Sequence, residues 1–397
     1  MIAYRHLAIL LATLSALGPF SIDTYLPSFP EIGSSLGASP LEVQQTLTAY
    51  LLPFAVMTLW HGALADALGR RRVILVALVL FGLASVGCAL ATSIEQLWLF
   101  RALQGMTAGA GIVVGRAVVR DVFQGAEAQK LMAHVAIMFA LAPAIAPIIG
   151  GWLHVAFGWR SIFVFMVLAT LALLLACWRW LPETLPAAAR QPLHPGYLLA
   201  AYRAVLTSRG FLSASFAIAF NFLGFFLYVM SAPVFLMEHL GRSETEFYWL
   251  FGPAMAGLML GSWISGRLAG HLSPLATVQR GYGLMAVGLA LNLGVSFGLP
   301  PGLPWSVLHF VVYNVGMAMA MPCLTLMALD LFPLQRGLAA SCQAFLQSVM
   351  NSLAAALLAP LLWGSTRHLA LGSACLLVLG AACTLWYARE APRQASD

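Results

Sequence analysis

Long apolar segments follow one another along almost the whole chain. Only 9% of the 397 residues are charged, against about a quarter in ordinary soluble domains, so lipid rather than water is the expected surroundings. A bilayer-spanning helix needs roughly 20 mainly apolar residues. The sequence accommodates about twelve such helices, which we predict at 6–26, 42–64, 73–92, 96–119, 131–155, 160–181, 210–236, 246–270, 276–298, 304–330, 337–362 and 367–388.

The longest polar interruption lies between the sixth and seventh predicted spans and is rich in proline, which interrupts helices. Short motifs of the first half recur in the second at a similar offset, as in transporters built from repeats. We therefore predict an all-α polytopic membrane protein with a six-helix N-terminal half at 1–181, a cytoplasmic linker at 182–209 and a six-helix C-terminal half at 210–397.

Basic residues are distributed unevenly over the loops, and cytoplasmic loops normally carry the excess of Lys and Arg. With the N-terminus inside, the outer loops contain only Arg160, Arg242 and Arg367. Both termini are therefore predicted to be cytoplasmic, and the net charge of +6 reflects topology rather than nucleic-acid binding. The inner loops and the C-terminal tail contain Arg70, Arg71, Arg72, Arg120, Lys130, Arg179, Arg190, Arg203, Arg209, Arg267, Arg280, Arg336, Arg389 and Arg393.

The most specific motif, Gly-Ala-Leu-Ala-Asp-Ala-Leu-Gly-Arg-Arg-Arg, occupies 62–72 between spans two and three. Its glycines allow a tight turn, and Asp66 can lie at a helix N-terminus, where negative charge is favoured. Arg70 can pair with Asp121 at the inner end of span four. A plain positively charged loop is the alternative to a cytoplasmic latch that holds helices together in one state, which we predict from Gly62, Asp66, Gly69, Arg70, Arg71 and Asp121.

Asp23 and Arg101 are charged residues that fall inside predicted spans. Asp23 lies near the outer end of span one, and Arg101 lies about 5 residues into span four, so both have a similar depth. Intramembrane charges are costly and are usually kept for function. Asp23 can take up a proton outside and release it inside, while Arg101, which stays charged, would tune it or replace the proton as its partner. A structural ion pair near the headgroups is the alternative.

These motifs resemble those of the major facilitator superfamily. The 62–72 motif looks like the superfamily's loop between helices two and three, although the second half has Gly270 where the first has Asp66. The stretch 99–105 resembles the helix-four motif, whose arginine, here Arg101, is linked to proton transfer.

A third stretch, 142–151, looks like the helix-five antiporter motif, with Ala146-Pro147 in place of the usual Gly-Pro. Together with 22–27 and 116–123, the pattern resembles the Bcr/CflA drug-resistance efflux proteins. Prolines kink a helix and small residues allow close packing, so an ordinary kinked helix is one interpretation. The resemblance favours a bend and seal that limits proton leak, formed by Pro143, Pro147, Gly150 and Gly151.

Polar and aromatic residues inside the spans are candidates for a substrate cavity. Gln343, Gln347 and Asn351 recur every fourth residue, so they share one helix face, which lipid would exclude. Such residues either line a cavity or bond helices together. The predicted cavity residues are Tyr25, Gln44, Tyr50, Gln104, Asn221, Phe225, Tyr228, Asn314, Gln343 and Gln347.

The sequence contains no metal-ligand spacing and no phosphate-binding loop, so we predict neither a metal nor another cofactor, and an ion gradient as the energy source. The resemblance implies the major facilitator fold, with two six-helix halves around a central cavity. It also implies a monomeric, proton-coupled exporter of small drug-like molecules or metabolites, working by alternating access in a bacterial inner membrane.

Two alternatives stay open. One is an importer or uniporter of the same fold for small peptides, amino acids or siderophores. The other is a membrane-embedded enzyme or scaffold, but an enzyme needs clustered nucleophiles or metal ligands, which the spans lack.

Overall fold

The computed structural model describes residues 4–123, 125–190, 193–333 and 335–394. Nearly all of them are helical, as the sequence predicts. The helices of the first half are α1 (Tyr4–Asp23), α2 (Phe29–Leu36), α3 (Pro40–Leu68), α4 (Arg70–Leu90), α5 (Ile94–Val122), α6 (Gly125–Phe157) and α7 (Arg160–Trp180). They are followed by α8 (Pro195–Leu206), α9 (Arg209–Met230), α10 (Tyr248–Leu268), α11 (Pro274–Gly298), α12 (Trp305–Asp330), α13 (Arg336–Leu353), α14 (Ala359–Leu362) and α15 (Thr366–Gln394).

A helix coincides with each predicted span. Span one continues through a 3₁₀ turn at Leu26–Ser28 into α2, and π-helical turns at Pro233–His239 and Ala354–Leu358 complete spans seven and eleven. Among the described residues, 10 helical segments are long and apolar enough to cross a membrane. The other two predicted spans correspond to α10 and to α6, in which Ala142–Phe157 is a shorter apolar helix.

Helix starts follow from local sequence. At α3, the Ser39 hydroxyl accepts a hydrogen bond from the Glu42 N–H at 3.3 Å, and the Glu42 carboxylate accepts one from the Ser39 N–H at 2.7 Å. This reciprocal capping box satisfies two N–H groups that the helix itself cannot bond. Ser93, Ser208 and Ser273 cap α5, α9 and α11 by the same side-chain acceptance.

The chain forms two compact units, Met1–Pro195 and Gly196–Asp397. In the first unit α5 packs against α3 and α4, while α1 packs against α6; in the second, α12 packs against α10 and α11. Small residues allow these close approaches: a Cβ at Gly105 of α5 would collide with the backbone of Tyr50 on α3. The 182–209 segment, which we predict to be the linker, contains a 3₁₀ turn at Ala187–Ala189 and α8.

Candidate functional site

Asp23 is the last residue of α1 and is buried, with 4% of its surface exposed. Within the described part of the chain, its carboxylate forms neither an ion pair nor a hydrogen bond. The structural ion pair that would be the alternative to a functional Asp23 is therefore not present among these residues. A buried charge without a partner is costly.

Arg101 is fully buried on α5, and two tyrosine rings enclose it. Its guanidinium carbon lies 4.8 Å from the ring centre of Tyr25 and 4.4 Å from that of Tyr50. Nη1 donates to the Gln104 amide oxygen at 2.8 Å and to the Ser21 carbonyl at 3.3 Å. Cation–π contact in a desolvated site contributes about 2 kcal/mol, so the rings partly replace the water that Arg101 has lost.

Two donors of Arg101, Nε and Nη2, are buried and have no acceptor in the described part of the chain. Its bonded partner, Ser21, and its stacked partner, Tyr25, lie two residues on either side of Asp23. Arg101 is therefore held beside the end of α1 without forming a salt bridge to Asp23. Nε and Nη2 of Arg101 therefore remain available as hydrogen-bond donors at a site where a proton or a substrate could act.

Hydrogen bonds between helices hold the side chains around Arg101. The Tyr25 hydroxyl bonds to Thr46, the Tyr50 hydroxyl accepts from Ser21 at 2.9 Å, and the Gln104 amide donates to Ser85 at 2.7 Å. The residues belong to α1, α3, α4 and α5 or to the turn after α1. The structure thus brings together three of the predicted cavity residues, Tyr25, Tyr50 and Gln104; a fourth, Gln44, is buried on α3.

The predicted latch is centred on Arg70, the first residue of α4. Its Nη1 lies 2.5 Å from the Asp66 carboxylate, and its Nε lies 3.1 Å from that of Asp121. Three helices, α3, α4 and α5, therefore meet at one guanidinium, and Arg70 as a residue is 8% exposed. Arg71, by contrast, donates to the Trp178 carbonyl at 2.5 Å and so ties α4 to α7.

The placement of Asp66 at a helix N-terminus is wrong. Asp66 lies in the last turn of α3, which ends at Leu68. A negative charge is disfavoured at that end of the helix dipole, and the neighbouring Arg70 guanidinium compensates for it. Gly69, between the two helices, has φ +98°, a conformation that favours glycine.

Glu183, just after α7, is a partner of the latch that sequence reasoning missed. Its Oε1 accepts hydrogen bonds from the Arg70 N–H at 2.9 Å and the Leu185 N–H at 3.1 Å. Its neighbour Thr184 donates to the Asp121 carboxylate at 2.8 Å. A carboxylate at the first N–H of α4 complements the helix dipole. One sequence signal could have revealed this partner: Glu183 is an acidic residue that follows Pro182 directly after the end of predicted span six.

The antiporter-like segment lies on α6. Pro143 and Pro147 are inside the helix, and Gly150 and Gly151 are buried. A Cβ at Gly150 would collide with the Thr24 carbonyl, so α6 touches the backbone directly after Asp23. The close contact between α6 and α1 agrees with the tight packing expected of this segment, while its role as a proton seal stays a prediction.

In the second unit, three predicted cavity residues bond neighbouring helices. The Asn221 amide donates to the Tyr282 hydroxyl at 2.8 Å, and that of Asn314 donates to the Ala254 carbonyl at 3.2 Å. The Tyr228 hydroxyl accepts from the Asn292 amide at 2.8 Å. All three hydrogen bonds join one helix to another, which is one of the two roles predicted for these residues.

The remaining candidates of the second unit lie on α9 and α13. Phe225 is buried with its ring centre 5.8 Å from that of Phe310. Gln343 and Gln347 are half-buried on α13; Gln343 donates to Thr325 at 3.1 Å, and Gln347 to Asn351 at 3.4 Å. The polar stripe is therefore present on one helix face, and its role as cavity lining stays a prediction.

Comparison with known proteins places this architecture in a family. A sequence model described as the Major Facilitator Superfamily matches residues 10–359. An uncharacterised transporter of that type, YdgK of Bacillus subtilis, is 37% identical over 79% of this chain and 79% of its own length. A bicyclomycin resistance protein homologue from Haemophilus influenzae is 30% identical over 65% of each chain.

A solved structure shares the fold. The human organic anion transporter MFSD10 (TETRAN) superposes with a TM-score of 0.70 over 98% of this chain and 99% of its own, at 19% identity. At that identity the likeness shows the fold alone.

The chain belongs to the Major Facilitator Superfamily, a family of membrane transporters rather than enzymes. The predicted resemblance to its drug-resistance branch is confirmed, because relatives of the chain are named for bicyclomycin, chloramphenicol and multidrug resistance.

Proposed function

We propose that this transporter is a proton-coupled antiporter that exports small drug-like molecules or metabolites by alternating access. The observation that carries the proposal is Asp23, a buried acid near the end of α1 that has no cation partner among the described residues. Such a group can change protonation without breaking an ion pair. Intramembrane acids of this kind are typical of proton relays in transporters.

Arg101 gives Asp23 a suitable neighbour. Its positive charge is permanent, and the rings of Tyr25 and Tyr50 hold it in place. Because Nε and Nη2 have no acceptor in the described region, the guanidinium can bind the Asp23 carboxylate after the proton leaves. Protonation of Asp23 would then alternate with pairing to Arg101, which links proton uptake to a movement of α1 against α5.

The latch supplies the second element of the mechanism. Arg70 joins α3, α4 and α5 through Asp66 and Asp121. In this proposal, the bonds form in one state of the transport cycle and break in the other. We place the latch on the cytoplasmic side of a bacterial inner membrane, with both termini cytoplasmic, because of the distribution of Lys and Arg over the loops. We also propose that the transporter functions as a monomer.

Asp23→Asn tests the proposal. We expect the variant to lose substrate-driven proton release from proteoliposomes, because the amide cannot exchange a proton. Bicyclomycin is the probe, since a relative is named for resistance to it, and a pH-sensitive dye inside the vesicles is the readout. Asp330→Asn is the matched control, because Asp330 is an exposed acid paired with Arg336 at 2.7 Å. Normal proton release by Asp23→Asn would contradict the role of Asp23.

The same vesicles separate export from import. In the proposed antiport, an imposed pH gradient drives bicyclomycin against the proton flow. Accumulation in the direction of proton flow would instead favour the importer alternative, and equilibration of bicyclomycin that does not depend on the gradient would favour a uniporter.

A further inference from the structure

His309 is a buried histidine of the second unit that has no part in the mechanism above. It lies in the first two turns of α12 and has 5% of its surface exposed. Neither ring nitrogen, Nδ1 nor Nε2, has a hydrogen-bond partner in the described part of the chain. A buried donor or acceptor without a partner costs free energy that an apolar side chain would not lose, so a reason is needed for an imidazole at this position.

Three aromatic side chains accompany the imidazole. Its ring centre lies 4.0 Å from that of Phe310 and 5.8 Å from that of Tyr228. The Tyr228 ring meets those of Phe310 and Phe235 edge to face, with ring centres 4.8 and 5.1 Å away. All four residues are buried. We call His309, Tyr228, Phe310 and Phe235 the aromatic cluster.

The other polar group of the cluster, the Tyr228 hydroxyl, is already satisfied. It accepts a hydrogen bond from the Asn292 amide at 2.8 Å, and the Ser296 hydroxyl donates to Asn292 Oδ1 at 3.2 Å. By contrast, no hydrogen bond to a described residue fixes the His309 ring. A buried water needs about two to four polar partners, and the rings beside His309 offer few. The surroundings therefore suit a ligand that brings a polar group on an apolar body.

The cluster lies where the helix of predicted span seven changes its geometry. α9 ends at Met230, shortly after Tyr228, and Phe235 belongs to the π-helical turn Pro233–His239. Ser231, between these segments, is fully buried, and its hydroxyl also lacks a partner among the described residues. π-helical turns are frequent at functional sites, and transporters bind their substrates beside discontinuous helices.

The position of His309 corresponds to that of Arg101 in the first half. The two residues are 208 positions apart, and each lies five residues beyond the start of its predicted span. The same offset, which is similar to that of the recurring motifs, leads from Asp23 to Ser231. In transporters built from repeats, corresponding irregular positions of the two halves mark the binding region. The repeat thus pairs a charged site in the first half with an uncharged cluster in the second.

We propose that the aromatic cluster is a binding site for an uncharged solute that joins an apolar or aromatic body to a hydroxyl or amide group, which His309 holds by hydrogen bonds. A neutral imidazole has one donor and one acceptor nitrogen, so it can bond such a group in either sense, while the rings pack on the body. The cluster contains no carboxylate, and a buried charge without a partner is costly. Transport of the solute rests on the proposed function; its binding does not.

Equilibrium binding of chloramphenicol to the purified full-length protein in detergent tests the site. Chloramphenicol is uncharged and joins an aromatic ring to hydroxyl and amide groups. We expect His309→Leu, which removes both nitrogens, to raise the Kd about 10-fold or more. His309→Gln keeps a donor and an acceptor and should bind within about 3-fold of the wild type. His368→Leu is the matched control, because His368 is exposed near the start of α15.

A second probe separates hydrogen bonding from general packing. Tetraphenylphosphonium is an aromatic cation without hydrogen-bonding groups. We expect the wild type and His309→Leu to behave alike toward it, because the variant loses only the two nitrogens' bonds to a solute.

Thermal unfolding without solute provides an independent readout. Because His309→Leu removes buried nitrogens that have no partner, we expect its Tm to equal that of the wild type or to be about 2 °C higher. A histidine kept for structure predicts the opposite: a lower Tm in the variant and an unchanged Kd.

Several outcomes would overturn the proposal. One is a wild type that does not bind chloramphenicol, and another is a His309→Leu variant that binds it as the wild type does. A third is an equal loss of affinity for tetraphenylphosphonium. A His309→Leu variant that does not fold, or unfolds more than about 2 °C below the wild type, would also overturn it, since the ring nitrogens would then be needed for structure.

The outcome for this site can be distinguished from that for proton-coupled export. If chloramphenicol binding depends on His309 but bicyclomycin drives no proton release by the wild type, the site stands and the proposed function fails. If bicyclomycin drives proton release but chloramphenicol binding does not depend on His309, the proposed function stands and the site fails.

Discussion

Arg101 illustrates how a single buried charge is accommodated. Groups from different parts of the first unit contribute one contact each: the rings of Tyr25 and Tyr50, the Gln104 amide oxygen and the backbone carbonyl of Ser21. None of these partners is charged. The site therefore holds a full positive charge by polarisable and dipolar groups and leaves Asp23 free to exchange its proton in the proposed cycle.

Gly62 and Gly69 both belong to the 62–72 motif, but the structure requires a glycine only at position 69. Gly69 has φ +98°, and a Cβ there would meet the Glu183 carboxylate. At Gly62 the nearest atom to an added Cβ is a Val113 methyl carbon at 3.8 Å, an ordinary contact distance.

We therefore expect Gly69→Ala to destabilise the protein by about 1–2 kcal/mol or more, from backbone strain and displacement of Glu183. Gly62→Ala should stay close to the wild type, within about 0.5 kcal/mol. Thermal unfolding of both purified variants measures the difference. Equal stability of the two variants would contradict the distinction.

The latch joins elements that are far apart in sequence. Arg70, at the start of α4, bonds through its side chain to α3 and α5 and through its N–H to Glu183 after α7. The hydrogen bond to Glu183 is made by the backbone N–H of Arg70 and not by its guanidinium. Glu183 thereby provides an acceptor for an N–H that has none within α4. The start of the predicted linker therefore belongs to the latch.

Glu183→Gln should weaken this connection. We expect a loss of about 1 kcal/mol of stability, because the charge at the N-terminus of α4 is removed while the shape is kept. Transport of bicyclomycin in proteoliposomes should fall along with Tm if the linker positions the latch. Glu238→Gln, at an exposed acid in the Pro233–His239 turn, is the control. Unchanged stability and transport in Glu183→Gln would show that the contact does not matter.

For the whole molecule, orientation is the property on which the proposed direction of transport depends. The excess of Lys and Arg in alternate loops predicts that Arg190 faces the cytoplasm and Arg367 the outside. Both side chains are solvent-accessible, so a label can reach them.

In a background without the six native cysteines, we expect Arg367→Cys to react with a membrane-impermeant maleimide in intact cells. Arg190→Cys should react only after the cells are opened. The reverse pattern would invert the topology and with it the proposed placement of the latch on the cytoplasmic side.

The sequence alone determined the class of protein and the approximate helix positions, and it marked Asp66, Arg70 and Asp121 as candidate partners of one another. These follow from local properties: the length of apolar runs, the capping residues, and the cost of a charge in lipid, which marks Asp23 and Arg101. Lipid also restricts the backbone to helices, so few folds remain to be distinguished. The match to the Major Facilitator Superfamily confirms the predicted class of protein.

The tertiary structure alone decided the partners. Glu183 lies 113 residues from Arg70, and Trp159 lies 128 residues from Glu31, so no local pattern joins them. Likewise, the position of Asp66 at the end of α3 beside Arg70 and the enclosure of Arg101 by two tyrosine rings depend on which helices pack side by side. In an apolar bundle, many such packings satisfy the same hydrophobic pattern, because burial is non-directional; only the packed helices select which polar groups meet.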